Sequence, residues 1–457
     1  MTEIRAAGVL LEFRGIDLGS SVEQVLFTSL RAGGPLRVGL RRRLPRLLRR
    51  PVAALSALRR TEPAHAADVL VIALADVHRR LFAPVAAEFA RLDPSLTTTL
   101  MSAGRGAQDP RLAELPAVSR QLKRRSAIAL MGHRVDRRRL AHAAQRWDTI
   151  VGGRVADELV PFVADTIARL AVEAARIDDT LEAVRPRAVV MYDEIDVWSR
   201  LVVRVARRHD VAAVDLPHAE AIDVEAIRGA HYDLMGVFGP RAAAVLSSAG
   251  VPDDRIVVVG PAGFDPLVRS ARSDVDRPPR VILAAQYRGG RMTDQVRAGI
   301  LDGALAAARA IDATVDLVPH PTEPASAWDE VVANRRHGSR GEVRIASRDS
   351  LHDLLPGSAL LVTGWSNSVY EAVLAGVPAI TCHLLEGPPP MPFASEGLAS
   401  EARDEAAAAD HARDLMRPER RQDALATARS ALADHLGPLD GAAATRSAAL
   451  VARAARG

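Results

Sequence analysis

The side chains best suited to chemistry in this sequence gather where apolar runs end. His218 directly follows the run at residues 212–215, and an imidazole titrates near neutrality, so it is a candidate general base. Asp193 and Glu194, with Asp196 close by, follow the run Ala188-Val-Val-Met191. Paired carboxylates at a strand end suit proton abstraction, and the same residues would serve equally as caps for a helix starting near Val197. A third group is the turn Thr363-Gly-Trp-Ser-Asn-Ser368. Ser366, Asn367 and Ser368 would stand at a helix N-terminus, where backbone N–H groups and hydroxyls suit an anion such as a phosphate. The plainer reading is that Ser368 and Glu371 form a capping box, S-x-x-E, and bind nothing.

These groups need a scaffold that brings strand ends together. Residues 359–381 read as a strand, a polar turn, a helix stopped by Gly376 and Pro378, and the next strand. That is a βαβ unit, whose turn lies at the carboxyl end of a strand, where open α/β sheets bind ligands. The same alternation runs through most of the chain. Strands are expected at 69–74, 96–101, 188–191, 212–215, 234–238 and 256–259, with helices at 81–92, 156–184, 197–209 and 242–249. After a polar, Pro-containing stretch at 266–280, a second series follows at 281–284, 314–318, 343–345, 359–362 and 378–381. The expected fold class is α/β, with two Rossmann-like, doubly wound parallel-sheet domains facing a cleft. The expected units are a basic amphipathic segment at 1–66, a first domain at 67–270, a second at 271–400, and C-terminal helices at 401–457 that cross back to the first. Within residues 1–66, a strand at 9–13 and a helix at 22–30 have no clear place.

With 457 residues the chain is long enough for two cores, and 48% hydrophobic with 25% charged residues is ordinary for a globular protein. Aromatic residues make up 4%, too few for the stacking platforms of single-stranded nucleic-acid binders, and no nucleic-acid partner is expected. The net charge is only +4, and the pI of 9.8 reflects near-exclusive use of Arg, Lys123 being the single lysine. One cysteine, Cys382, excludes an intramolecular disulfide and a Cys-based zinc cluster. No signal peptide and no apolar run of about 20 residues is evident, so a cytoplasmic location is the default. From Arg37 to Arg60, arginines alternate with leucines recurring at roughly helical spacing, interrupted by Pro45 and Pro51. This segment is a candidate for peripheral contact with an anionic inner membrane face or a lipid-linked substrate, or else a solvated helix–loop region. Lys123-Arg-Arg125, Arg134 and Arg137-Arg-Arg139 form a second basic cluster, a candidate to share that role. No G-x-G-x-x-G follows either first strand, Tyr287-Arg-Gly-Gly-Arg291 being the nearest approach, so no dinucleotide cofactor is expected.

Four pieces, in order, resemble the GT-B glycosyltransferase superfamily, and within it bacterial capsule, polysialyltransferase-like and CDP-glycerol glycerophosphotransferase-like enzymes. Gly260-Pro-Ala-Gly-Phe-Asp265 is similar to the turn that ends the first domain of such enzymes. Leu317-Val-Pro-His-Pro321, with Glu323, is similar to their Lys-Pro-His-Pro segment. Asp349-Ser-Leu-His-Asp-Leu-Leu355, Thr363-Gly-Trp-Ser366 and Glu371-Ala-Val-Leu-Ala-Gly-Val-Pro378 are similar to their donor site. Leu439-Asp-Gly441 with Arg446 is similar to the ending of several capsule enzymes. The likeness covers residues 187–450.

The resemblance implies a transferase that moves a glycosyl or glycerophosphoryl group from a nucleotide-activated donor to a surface glycan or lipid-linked acceptor, without a bound metal. By the same likeness His320 would donate to the donor phosphate, or simply shape a His-Pro turn. Glu371 would hold the donor's ribose hydroxyls, with Thr363, Ser366, Asn367 and Ser368 around the phosphate. There are departures: His218-Ala219 stands where such enzymes carry His-Gly, and Val318-Pro319 where they carry Lys-Pro. Arg288 and Arg291 are candidates to replace the missing cation. The alternatives are a non-catalytic nucleotide- or glycan-binding scaffold and, further off, a UDP-N-acetylglucosamine-type epimerase. The epimerase family's Asp-Ser-Gly-Gly and Glu-Glu are absent from residues 363–371.

Overall fold

The computed structural model describes residues 11–31, 65–73, 76–102, 116–118, 122–151, 156–192, 197–220, 232–269, 279–286, 288, 292–320, 323–333, 343–346 and 351–457. A short antiparallel hairpin, β1 (Glu12–Phe13) and β2 (Ile16–Asp17), precedes the first domain. Arg14 and Gly15 make its turn, both at positive φ. The first sheet contains β3 (Val69–Ala73), β4 (Thr98–Ser102), β5 (Ala188–Met191), β6 (Ala212–Asp215), β7 (Leu234–Val237) and β8 (Ile256–Val258). All its pairings are parallel, in the order β4-β3-β5-β6-β7-β8. The second sheet contains β9 (Arg280–Ala284), β10 (Thr314–Val318), β11 (Val343–Ile345), β12 (Leu360–Thr363), β13 (Ala379–Cys382) and β14 (Ser400–Ala402). It too is parallel, in the order β11-β10-β9-β12-β13-β14.

Strands such as Val-Leu-Val-Ile-Ala and Leu-Leu-Val-Thr are buried along their whole length because helices cover both faces of each sheet. On the first sheet, one face packs the helices Ala156–Val184 and Val197–Arg208, and the other packs Asp76–Leu92 and Ala443–Arg456. On the second, Asp294–Ala310 and Glu405–Leu415 lie on one face, with Ser368–Leu374 and Pro418–Leu436 on the other. Phe238 and Phe264 of the first domain join that last core, so the two domains share apolar surface.

The C-terminal stretch is set by its hydrogen bonds. Gly437, at φ 66°, ends the Pro418–Leu436 helix. The buried Asp265 carboxylate then accepts from the amides of Ala443 (3.0 Å) and Ala444 (2.8 Å), capping the Ala443–Arg456 helix against the first domain. Arg446 donates to the Val259 carbonyl at 2.9 Å and pairs with Asp440 at 2.8 Å. Asp265, Asp440 and Arg446, read in the sequence as motif residues, are thus the latch of a crossing helix.

Residues 37–60, and with them the basic amphipathic segment, lie outside the described residues, as does most of the 266–280 stretch. Among the described residues no helix is long and apolar enough to cross a membrane.

Candidate functional site

Strand order locates the crevice. In the second sheet the connectivity reverses between β9 and β12, and the loops leaving those neighbouring strands diverge there. The β9 loop carries Gln286 and Arg288, and the β12 loop is Thr363–Ser368. β10, on the other side of β9, ends just before His320.

The β12 turn is held from inside. Thr363, fully buried, donates its hydroxyl to the Ala284 carbonyl at 2.8 Å, which ties β12 to β9. Gln286 Oε1 accepts from the Trp365 amide at 2.9 Å, and a Cβ on Gly364 would collide with that same oxygen. Thr363 is therefore a clamp behind the turn. Gln286, absent from the sequence reading, is its partner.

The helix that follows runs Ser368–Leu374, and it has no capping box. Ser368 is its first residue, the Asn367 side chain caps nothing, and Glu371 turns away to His352 at 3.4 Å. The Ser368 amide donates to Ser366 Oγ at 3.2 Å, and those of Val369 and Tyr370 to the carbonyls of Ser366 and Asn367. The amides of Ser368, Val369 and Tyr370 are thus engaged within the turn. The Ser368 hydroxyl is buried without a hydrogen-bond partner among the described residues.

His320 is half-buried two residues beyond β10. Burial pushes its pKa below the ordinary imidazole value, with the Glu323 charge offsetting part of that, so the ring is neutral near pH 7. Glu323 itself braces the loops. Its carboxylate accepts from the Arg288 amide at 2.6 Å and from Arg297 at 3.3 Å, and the Arg297 guanidinium lies 4.1 Å from the Trp328 ring centre. The Arg288 guanidinium points outward, exposed, and pairs with Asp294 at 2.7 Å, so replacing the missing Lys would require it to leave that partner. Arg291 lies outside the described residues.

Across the cleft, His218 is half-buried just past β6. Asp193 and Glu194 lie outside the described residues, directly after β5. The adjoining Tyr192 is fully buried and donates to the Leu81 carbonyl at 3.3 Å; burial and the Asp215 charge hold its phenol well above the usual range.

Two residues after His218, the domains join through a buried polar cluster. Glu220 accepts from Arg241 at 2.6 Å, from the Tyr370 hydroxyl, and from His435 Nδ1 at 3.2 Å. His435 Nε2 and Arg241 both reach Glu396 at 3.1 Å, and the Tyr370 hydroxyl lies 3.0 Å from His435 Nδ1. Burial acts to raise the Glu220 pKa, but hydrogen bonds from His435, Tyr370 and Arg241 outweigh it and keep it below the ordinary value. Glu220 thus stays a carboxylate between the two domains. The cluster ties the His218 loop to the helix that follows the β12 turn. None of its members stood out in the sequence, because each is an isolated polar residue on a different element.

Two parallel Rossmann-like sheets, a shared interdomain core and a last helix returning to the first domain define a GT-B fold. Known structures agree. S. aureus MnaA, solved with UDP, is 13% identical, with 83% of this chain and 94% of that one covered at a TM-score of 0.55. A UDP-N-acetylglucosamine 2-epimerase assigned in Listeria monocytogenes is 16% identical over the same shares, at 0.56. That from Neisseria meningitidis, bound to UDP-GlcNAc, is 12% identical over 84% of this chain and 98% of its own, at 0.51. At these identities the likeness is one of fold. No protein-family model matches the sequence, and a search of curated proteins found no match.

Proposed function

We propose that this chain is a transferase that moves a glycosyl or glycerophosphoryl group from a nucleotide-activated donor to a bacterial surface glycan or lipid-linked acceptor. The observation that carries the reading is the partnerless, buried Ser368 hydroxyl at the strand-order reversal of the second sheet, beside a turn held open by Gln286. Transfer requires stabilising charge on a leaving phosphate and removing a proton from an acceptor hydroxyl. Ser366, Asn367 and Ser368 take the phosphate, and His320 donates to it from the β10 end. Arg288 and Arg291 supply cationic charge, and no metal is required. Glu371 reaches the ribose when it exchanges His352 for a hydroxyl. Thr363 supports from behind. His218 is the base, the Glu220–Tyr370 contact holding its loop against the donor side; Asp193 and Glu194 are the other candidates.

A UDP-sugar epimerase is the second reading, favoured by structures of that name sharing the fold. The sequence Thr-Gly-Trp-Ser-Asn-Ser-Val-Tyr-Glu at 363–371 argues against it. One screen separates these possibilities. Nucleotides and nucleotide-linked sugars or glycerol are tested for thermal stabilisation, then for hydrolysis, transfer and 2-epimerisation. Stabilisation without turnover indicates a binding scaffold, and UDP-GlcNAc epimerisation without acceptor indicates the second reading. On the transferase reading His320→Ala weakens nucleotide binding about tenfold or more, the scale of a hydrogen bond to a charged group. Unchanged affinity would place the donor elsewhere.

A further inference from the structure

A surface patch on the first domain, remote in sequence from the groups above, calls for a partner of its own. The helix Arg124–Gly132 is fixed by its inward face: Ser126, Ala127 and Leu130 are buried, Ser126 Oγ donates to Asp179 at 2.8 Å, and the Lys123 amide donates to the other Asp179 oxygen at 2.6 Å. This geometry commits Arg124, Ile128 and Met131, at i, i+4 and i+7, to the outward face. Ile128 is 55% exposed and Met131 49%, the two most exposed large hydrophobic residues among those described. Single exposed apolar residues need no explanation, but two adjacent ones on a nine-residue helix are an apolar tip.

Arginines flank that tip along the chain. Arg124, Arg125, Arg134, Arg137, Arg138 and Arg139 are all exposed. Glu182 pairs with Lys123 and Arg125, and Asp136 with Arg139, while Arg124, Arg134, Arg137 and Arg138 make no ion pair among the described residues. Arg124, Arg125 and Arg137–Arg139 also occupy the first turns of their helices, the positive ends of the dipoles, and neither helix has an acidic residue there. Arginines there are unfavourable to the helix dipole, offset in the second helix by the Asp136 carboxylate, which accepts from the Arg138 and Arg139 amides at 3.0 Å.

We propose that this face docks onto an anionic lipid bilayer, with Ile128 and Met131 entering the headgroup–acyl boundary and the unpaired arginines meeting lipid phosphates. Apolar insertion plus basic charge is what an interfacial helix requires, and a polyanion such as nucleic acid would leave the apolar tip without a role. The proposal is independent of the donor-site assignment.

The test is co-sedimentation of the full chain with vesicles of phosphatidylcholine alone or mixed with phosphatidylglycerol, and with duplex DNA as competitor. Binding is expected to the mixed vesicles, weakened severalfold by raising salt from about 0.1 to 0.5 M. Replacing both Ile128 and Met131 by Ser, or both Arg134 and Arg138 by Glu, should lower binding about tenfold while circular dichroism and thermal unfolding stay unchanged, since all four are exposed. The proposal is overturned if the wild-type chain ignores anionic vesicles. It is equally overturned if both double variants bind as well as wild type, which would assign binding to another surface. Loss of lipid binding in the Glu variant alone, with matched loss of DNA binding, would mean a polyanion site and also refutes bilayer insertion.

Discussion

Glu371 shows how one residue can be misread from its neighbours in sequence. The spacing Ser368-x-x-Glu371 spells a capping box, but the partner chosen in the fold is His352, brought over from the Leu351–Leu354 helix. Burial alone would lower the His352 pKa, and the Glu371 contact more than compensates, lifting it above 6.5. A raised histidine pKa contributes stability that is complete below the unfolded value and is lost as pH rises through the folded value. The gap in unfolding midpoint between the wild type and Glu371→Gln should therefore be widest below the ordinary imidazole pKa and close as pH rises above it. A gap that does not vary with pH would show that the ion pair adds nothing. A residue-level choice of this kind was not legible in sequence, because both partners are ordinary helix residues until tertiary packing pairs them. The hydroxyl-rich turn was legible, but its internal division of labour was not: Thr363 binds backbone, Ser366 caps, and Ser368 is left without a partner.

At the level of elements, the sequence was read most successfully where physics is least ambiguous. Buried parallel strands such as Val69–Ala73 and Ala188–Met191 are short apolar runs, and helices such as Ala156–Val184 are long and periodic. One edge strand and two linking helices were missed. Ser400–Ala402 pairs on one side only and has no apolar run to announce it, and the two arginine-led helices after Leu122 read as a charge cluster. The final helix depends on a cap supplied from 178 positions earlier in the chain. Asp265→Ala removes a buried acceptor for two amides and should cost about 2 kcal/mol in denaturant unfolding, with Asp265→Asn milder. A cost near zero for the Ala variant would mean water caps the helix equally well.

For the whole molecule, the two-domain plan was visible as two series of strands, whereas the way the domains hold together was not. Their junction combines Phe238 and Phe264, which pack into a core of the second domain, with the Glu220 cluster, drawn from five separate elements. Tyr370 stays protonated because burial and the Glu220 charge raise its pKa, so it acts as a donor. A double-mutant cycle of Glu220→Gln and Tyr370→Phe should show a coupling of about 1 kcal/mol or more in stability, and on the proposed transferase reading both single variants should also slow transfer by loosening the His218 loop. Strict additivity would remove Tyr370 from the junction. A buried carboxylate stripped of one donor is costly, which makes this cluster a tighter determinant of domain orientation than the apolar contacts beside it.

The crossing helix has a consequence for how the molecule comes into being. Ala444, Ala448, Leu450, Val451, Ala452 and Ala455 fill one face of the first sheet, packing with Val69, Val71 and Phe82. During synthesis, therefore, the first domain emerges with that face covered only by the helix Asp76–Leu92 and waits while the entire second domain is made. The second domain, contiguous in sequence, has all its core available sooner. Order of appearance and order of completion are thereby reversed: the domain begun first is finished last.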